Sequence, residues 1–147
     1  APGWETEAEG IHGLSKAYLE ANGVSRKQAM AQLTAWVDST KDPQTDATFV
    51  GHNAPFDWSH VAWCYSAENM KNPFGYKALC TKSLATGVLG VHWLDSGKET
   101  IAQALNLPTE DMGQKHRADY DAAYQALVLK GLLEKSRGLK PGAGFTD

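Results

Sequence analysis

The sequence predicts a single domain of the α/β class in which helices far outnumber strands, and three observations support this. The chain has 147 residues, 42% of them apolar, which is enough for one ordinary core. Six stretches carry helical spacing or helix-end signals. Only two short apolar runs read as strands, and two strands alone do not make an independently stable sheet. Taken by themselves, the residues therefore leave two readings: a largely helical fold, or a sheet whose further strands lie upstream of Ala1.

The opening APGWETEAEGIHG is a polar, glycine-bearing lead-in that ends in a Gly-Ile-His-Gly turn. Ser15 offers an N-cap for a short helix that stops at Asn22-Gly23, a good C-terminal signal. Ser25 with Gln28 forms a capping box for a second helix. In it Ala29, Met30, Leu33, Trp36 and Val37 recur at helical spacing as a buried stripe ending near Asp38. Ala47 to Val50 is a short apolar run closed by Gly51, which reads as the end of a buried strand. Pro55 suits the first position of a helix continuing to the region of Glu68. A loop over 69–75 precedes residues 78–81, a second short strand or extended connection. Residues 83–89 read as helical, and Ser96 can cap a helix that Leu107-Pro108 ends. A last long helix covers 118–134, with Ala122, Ala123, Ala126, Leu127, Val128 and Leu132 as its apolar side. The domain is thus expected over residues 1–137, with 138–147 as a flexible tail.

Composition narrows the function classes. The net charge of −3 and pI near 5.9 create no global basic field, so a nucleic-acid partner would need a local patch, a bound cation or short contacts. Cys64 and Cys80 form no CxxC pair, which argues against a zinc site or a disulfide framework and fits a reducing, intracellular, cytoplasmic setting. No apolar run approaches the roughly 20 residues needed to span a membrane. No membrane partner is expected.

Three clusters could carry chemistry. In FVGHNAPFDW, residues 49–58, Asp57 falls in the first turn of the expected helix, where the helix dipole stabilises a carboxylate by roughly 0.3–1 kcal/mol. Alone, that is a helix-start charge. Gly51 permits a tight turn beside it, however, and His52 and Asn53 put polar groups at the strand end, where α/β sheets place ligands. In HRADYDA, His116 and Asp121 can face one cleft if the imidazole lies in the loop and the carboxylate in the first turns of the helix. The plain alternative is a solvated His116 and two aspartates, Asp119 and Asp121, complementing the helix N-terminus. In GIHGLS, the turn could present His12 to a phosphate or base, or could be only a turn.

Taken in order, GIHGLS, VGHNAPFDW, SLATGVLG, ETIAQALNLP and HRADYDAAYQALVL resemble the DEDDh 3′–5′ exonucleases, the DnaQ-like family that includes bacterial proofreading subunits and ribonuclease-T-like enzymes. The resemblance covers residues 7–134 and implies a ribonuclease-H-like α/β fold. It implies four carboxylates holding two divalent cations, Mg²⁺ or Mn²⁺, with a histidine as general base on the attacking water. Carried over by position, Asp57 resembles the third carboxylate, Asp121 the fourth and His116 the base, while Asp119 is not the motif aspartate. His12 resembles the histidine that borders the substrate pocket, and His52, Asn53 and Phe56 match the strand-end group beside the carboxylate. The expected activity is hydrolysis at the 3′ ends of single-stranded DNA or RNA. Two cations compensate phosphoryl charge without a basic groove, which accords with the acidic pI.

The sequence departs from the family pattern at its start. An apolar strand carrying Asp-x-Glu should precede the Ile-His-Gly turn by tens of residues, whereas only ten residues precede Ile11. Glu5, Glu7 and Glu9 lie too close to the turn to serve as the missing pair. With Ala1 in place of Met, the expectation is the C-terminal part of an exonuclease domain whose opening strands are missing, inactive or nearly so by itself. The alternative is a catalytically inactive module of the same fold that binds nucleic acid or a protein partner. A third reading, an unrelated helical interaction domain with Trp36, Trp58, Trp63 and Trp93 as core or partner contacts, leaves the ordered motifs to coincidence.

Overall fold

A computed structural model describes residues 6–138. The elements run α1 (Thr6–His12), α2 (Lys16–Asn22), α3 (Arg26–Thr40), β1 (Phe49–Gly51), α4 (Ala54–Ala67), β2 (Ala78–Cys80) and α5 (Thr81–Leu89). A single 3₁₀ turn (Trp93–Asp95), α6 (Lys98–Leu105) and α7 (Ala118–Arg137) follow. The described chain is mixed α/β and mostly helical. Its strands form a parallel pair in which Phe49, Val50 and Gly51 oppose Ala78, Leu79 and Cys80. The α4 crossover joins them, as a parallel pair requires.

Local chemistry explains most element ends. The Ser25 side chain accepts from the Gln28 N–H, and the Gln28 side chain accepts from the Ser25 N–H, so the capping box expected at the start of α3 is formed. Ser15 accepts from the Tyr18 N–H and starts α2 in the same way. α4 begins with Pro55 in its first turn, where the missing N–H is no loss.

Four expectations are corrected. The lead-in is helical over Thr6–His12, because TEAE is a good helix former with acidic groups in the first turn, so His12 ends a helix and Gly13 at φ 70° makes the turn. Trp36 is not part of the buried stripe of α3: Val37 is buried, while Trp36 is 62% exposed. Ser96 does not cap α6; it is buried and donates to the Trp93 carbonyl at 2.7 Å, and Gly97 takes the N-cap position. On α7, Ala122, Ala123 and Ala126 are exposed, and the buried positions are Tyr124, Val128 and Leu132. The expected tail beyond Gly138, like residues 1–5, lies outside the described residues.

The core joins α5, α6 and α7 through Ala85, Ile101, Ala102, Tyr124, Val128 and Leu132. Tyr124 is polar enough to be missed by an apolar stripe, yet it is buried with its hydroxyl donating to the Pro108 carbonyl at 2.8 Å. A second contact packs α4 on α3: Tyr65 is buried and its hydroxyl donates to the Met30 carbonyl at 3.2 Å beside Thr34 Oγ1 at 3.0 Å. Trp58, partly buried, packs its ring on Phe49 at 5.5 Å.

Candidate active site

β1 ends in Gly51, which is buried for a steric reason. A Cβ there would stand 3.2 Å from Ala54 Cα and 3.5 Å from Asp57 Oδ2. The strand end, the first turn of α4 and the Asp57 carboxylate are therefore packed at backbone distance. Asn53 makes the turn between them in the left-handed region, φ 62°, ψ 47°, a conformation that asparagine tolerates better than most residues. Its side chain makes no capping bond, and its carbonyl accepts the Phe56 N–H at 3.0 Å.

On the other side of the cleft, the chain before α7 carries His116 at φ 70°, also left-handed. Asp121 lies one turn into α7, its N–H donating to the Arg117 carbonyl at 2.9 Å. Arg117 turns instead to Asp119 at 3.0 Å and holds that carboxyl below the usual carboxylate range. Asp119 is thus an exposed helix-start charge, and only Asp121 faces the cleft.

The cleft has a volume of about 860 Å³. It brings together His12, Phe56, Asp57, His116 and Asp121, contributed by α1, α4, the loop before α7 and α7 itself. Apart from Gln125, its remaining wall is apolar, including Phe49, Val50 and Leu129. Phe56 presents its ring 65% exposed, stacked at a tilt against His60 at 4.9 Å. His12 accepts the Leu14 N–H at its Nδ1, 3.0 Å, which leaves Nε2 as the protonated nitrogen of the neutral ring.

Two residues expected in the substrate group do not line this cleft. His52 points to the interior side of the turn, with its ring Nδ1 3.2 Å from Thr81 Oγ1. Its backbone N–H donates to Gln125 Oε1 at 3.0 Å, so it ties β1 to both α5 and α7. Burial, then the charges of Lys98 and Lys82, lower its pKa to about 4, and it is neutral at pH 7. Asn53 serves the turn, as described. Both residues fall beside the carboxylate in sequence, but the strand-to-helix turn sends them elsewhere.

Three contributors were not legible in advance. Gln125, one turn beyond Asp121, lines the cleft and anchors His52. Lys98, at the start of α6, pairs closely with Glu110 and stands 3.8 Å from Asp121 Oδ1. Gln125 could have been found from its i, i+4 relation to Asp121. The Lys98 and Glu110 pair carries no such spacing signal.

The donor chemistry suits a hard cation. Asp57 and Asp121 offer carboxylate oxygens to one cleft, and Asp121 Oδ1 is buried with no hydrogen-bond partner among the described residues. A buried carboxylate oxygen without donors is costly unless another charge compensates it, and Lys98 at 3.8 Å supplies charge but no hydrogen bond. Among the described residues, no group of three or more His, Cys, Asp or Glu side chains converges as a complete metal site. Two carboxylates therefore fit part of a divalent-cation site and not the whole of one.

No family model matches the chain. It is similar to the 3′-5′ DNA exonuclease Cap18 of Escherichia coli, with 34% identity over 125 residues, 85% of this chain. The match spans 65% of that relative's length.

Proposed function

We propose that the chain carries the catalytic cleft of a metal-dependent 3′–5′ exonuclease of the DEDDh type, with a ribonuclease-H-like fold, acting on the 3′ end of single-stranded DNA. The carrying observation is the convergence of Asp57 with His116 and Asp121 on one cleft from two segments distant in sequence. The name of the similar Escherichia coli protein, a 3′-5′ DNA exonuclease, supports both the polarity and the choice of DNA over RNA.

Asp57 and Asp121 would hold Mg²⁺ or Mn²⁺, which when bound supplies charge compensation at the scissile phosphate and lowers the pKa of water. The remaining steps belong to side chains. His116, in the loop at the cleft rim, takes the proton from the attacking water. Phe56 offers its exposed ring as a stacking surface for a base, worth roughly 1–3 kcal/mol. His12, with Nε2 protonated, can donate to a phosphate or sugar oxygen of the terminal nucleotide. A full two-cation site needs further carboxylates beyond the two that line the cleft, so turnover by this chain alone is expected to be slow.

A second reading has one observation in its favour, the absence of a three-ligand group among the described residues. In that reading the same cleft binds a strand and does not cut it. A 5′-labelled single-stranded oligonucleotide separates the two. The first reading expects stepwise shortening from the 3′ end in Mn²⁺, stopped by a chelator and lost in Asp57→Ala and Asp121→Ala. Binding without shortening supports the second.

A further inference from the structure

Asp121 Oδ1 is buried and accepts no hydrogen bond among the described residues, yet it faces an ammonium group. Lys98 Nζ stands 3.8 Å away, beyond hydrogen-bonding range and well within range of charge attraction. The lysine gives its close contact to Glu110 instead, from the loop between α6 and α7. Glu110 is itself only 12% exposed at its side chain and has Lys115 Nζ at 4.0 Å on its other oxygen. Below the ammonium lies the Tyr124 ring, 5.9 Å from its centroid, in the core. Lys98 is thus gripped from behind and held just short of Asp121.

We propose that Lys98 is a positioning residue for Asp121: it balances the carboxylate charge from the buried side while Glu110 keeps it from bonding directly to the carboxylate that a divalent cation would use. The inference rests on the cation-binding reading of Asp57 and Asp121 given above. An ammonium bonded directly to Oδ1 would neutralise the carboxylate and weaken its pull on a cation. One that is absent would leave a buried carboxylate oxygen uncompensated and offer no repulsion toward an arriving cation. The observed arrangement lies between these, and Glu110 sets it.

Opposite responses of the two partners test this, with Mn²⁺ alone as the probe and the free-ion electron paramagnetic resonance signal as the readout on the full chain. Lys98→Met removes the like-charge repulsion, so Mn²⁺ should bind tighter by about threefold or more. Glu110→Gln loosens the grip and lets Lys98 close on Asp121, so Mn²⁺ should bind weaker by about threefold or more. A purely structural pair would weaken binding in both variants, and that result, or no change in either, overturns the proposal. Should Lys98→Met fail to fold by circular dichroism, Glu110→Gln decides by itself: unchanged or tighter binding overturns the proposal. Asp121→Asn identifies the site. If the wild-type chain binds no Mn²⁺, or Asp121→Asn binds it equally well, the cation-binding reading itself fails, an outcome distinct from same-sign shifts in a protein that does bind.

Discussion

Single residues in the cleft serve either chemistry or geometry, and the two are separable by substitution. His116 is the residue where they overlap, since its left-handed backbone would cost roughly 1 kcal/mol in a residue such as alanine. His116→Asn keeps a residue that tolerates this conformation and removes only the imidazole proposed as the base. Its expected signature is a fall in kcat with KM little changed, measured on a 3′-labelled strand; an effect on KM alone would place His116 in binding. Gly51 is a geometric residue, since a Cβ meets the Ala54 backbone at 3.2 Å. Gly51→Ala is expected to lower stability by about 1–3 kcal/mol in denaturant unfolding, and to displace Asp57 with it.

His52 gives a pH signature of its own. Its folded pKa near 4 lies below the ordinary 6.5, so folding favours the neutral ring. The unfolded chain then binds the extra proton between those values, and stability falls as pH drops from about 6.5 toward 4. For a half-buried ring, solvent screening reduces the effect to on the order of 1–2 kcal/mol. His52→Gln should flatten that part of the stability profile, and an unchanged slope would assign the acid limb to other groups.

At the level of elements, end signals were read more accurately than faces. The Ser25–Gln28 box starts α3 as its spacing predicts, and Ser25→Ala should cost about 1 kcal/mol in thermal unfolding because the Gln28 N–H loses its acceptor. Pro55, Asn22-Gly23 and the two short apolar runs also fall where their chemistry places them. Faces were harder. Trp36 and Ala126 stand at helical spacing but point outward, since periodicity states which residues share a side and not what that side meets. Tyr124 falls outside an apolar stripe because of its hydroxyl, although the Pro108 carbonyl satisfies that group inside the core. The helix α1 was hidden because two glycines, Gly10 and Gly13, punctuate its sequence.

At the scale of the whole molecule, none of the described helices is long and apolar enough to cross a membrane, and the two-stranded parallel sheet serves to fix β1 and the turn into α4. That turn faces the start of α7 across the cleft, which is how residues distant in sequence meet. Asp57, His116 and Asp121 were each legible as polar groups at element ends, and their ordered motifs pointed to one site. Lys98 and Glu110 were not legible, because their meeting depends on how the loop after α6 folds back. The cleft gathers its two carboxylates and the exposed Phe56 ring on one face of the molecule.

The central claim is polarity together with dependence on Asp57 and Asp121. The most direct measurement follows a single-stranded DNA carrying different labels on its 3′-terminal and 5′-terminal nucleotides, incubated with the protein and Mn²⁺. The account expects the 3′ label to appear first, as a mononucleotide, and to remain on the strand with Asp57→Asn or Asp121→Asn. Release from the 5′ end, internal cleavage, or unchanged release by either variant would contradict it.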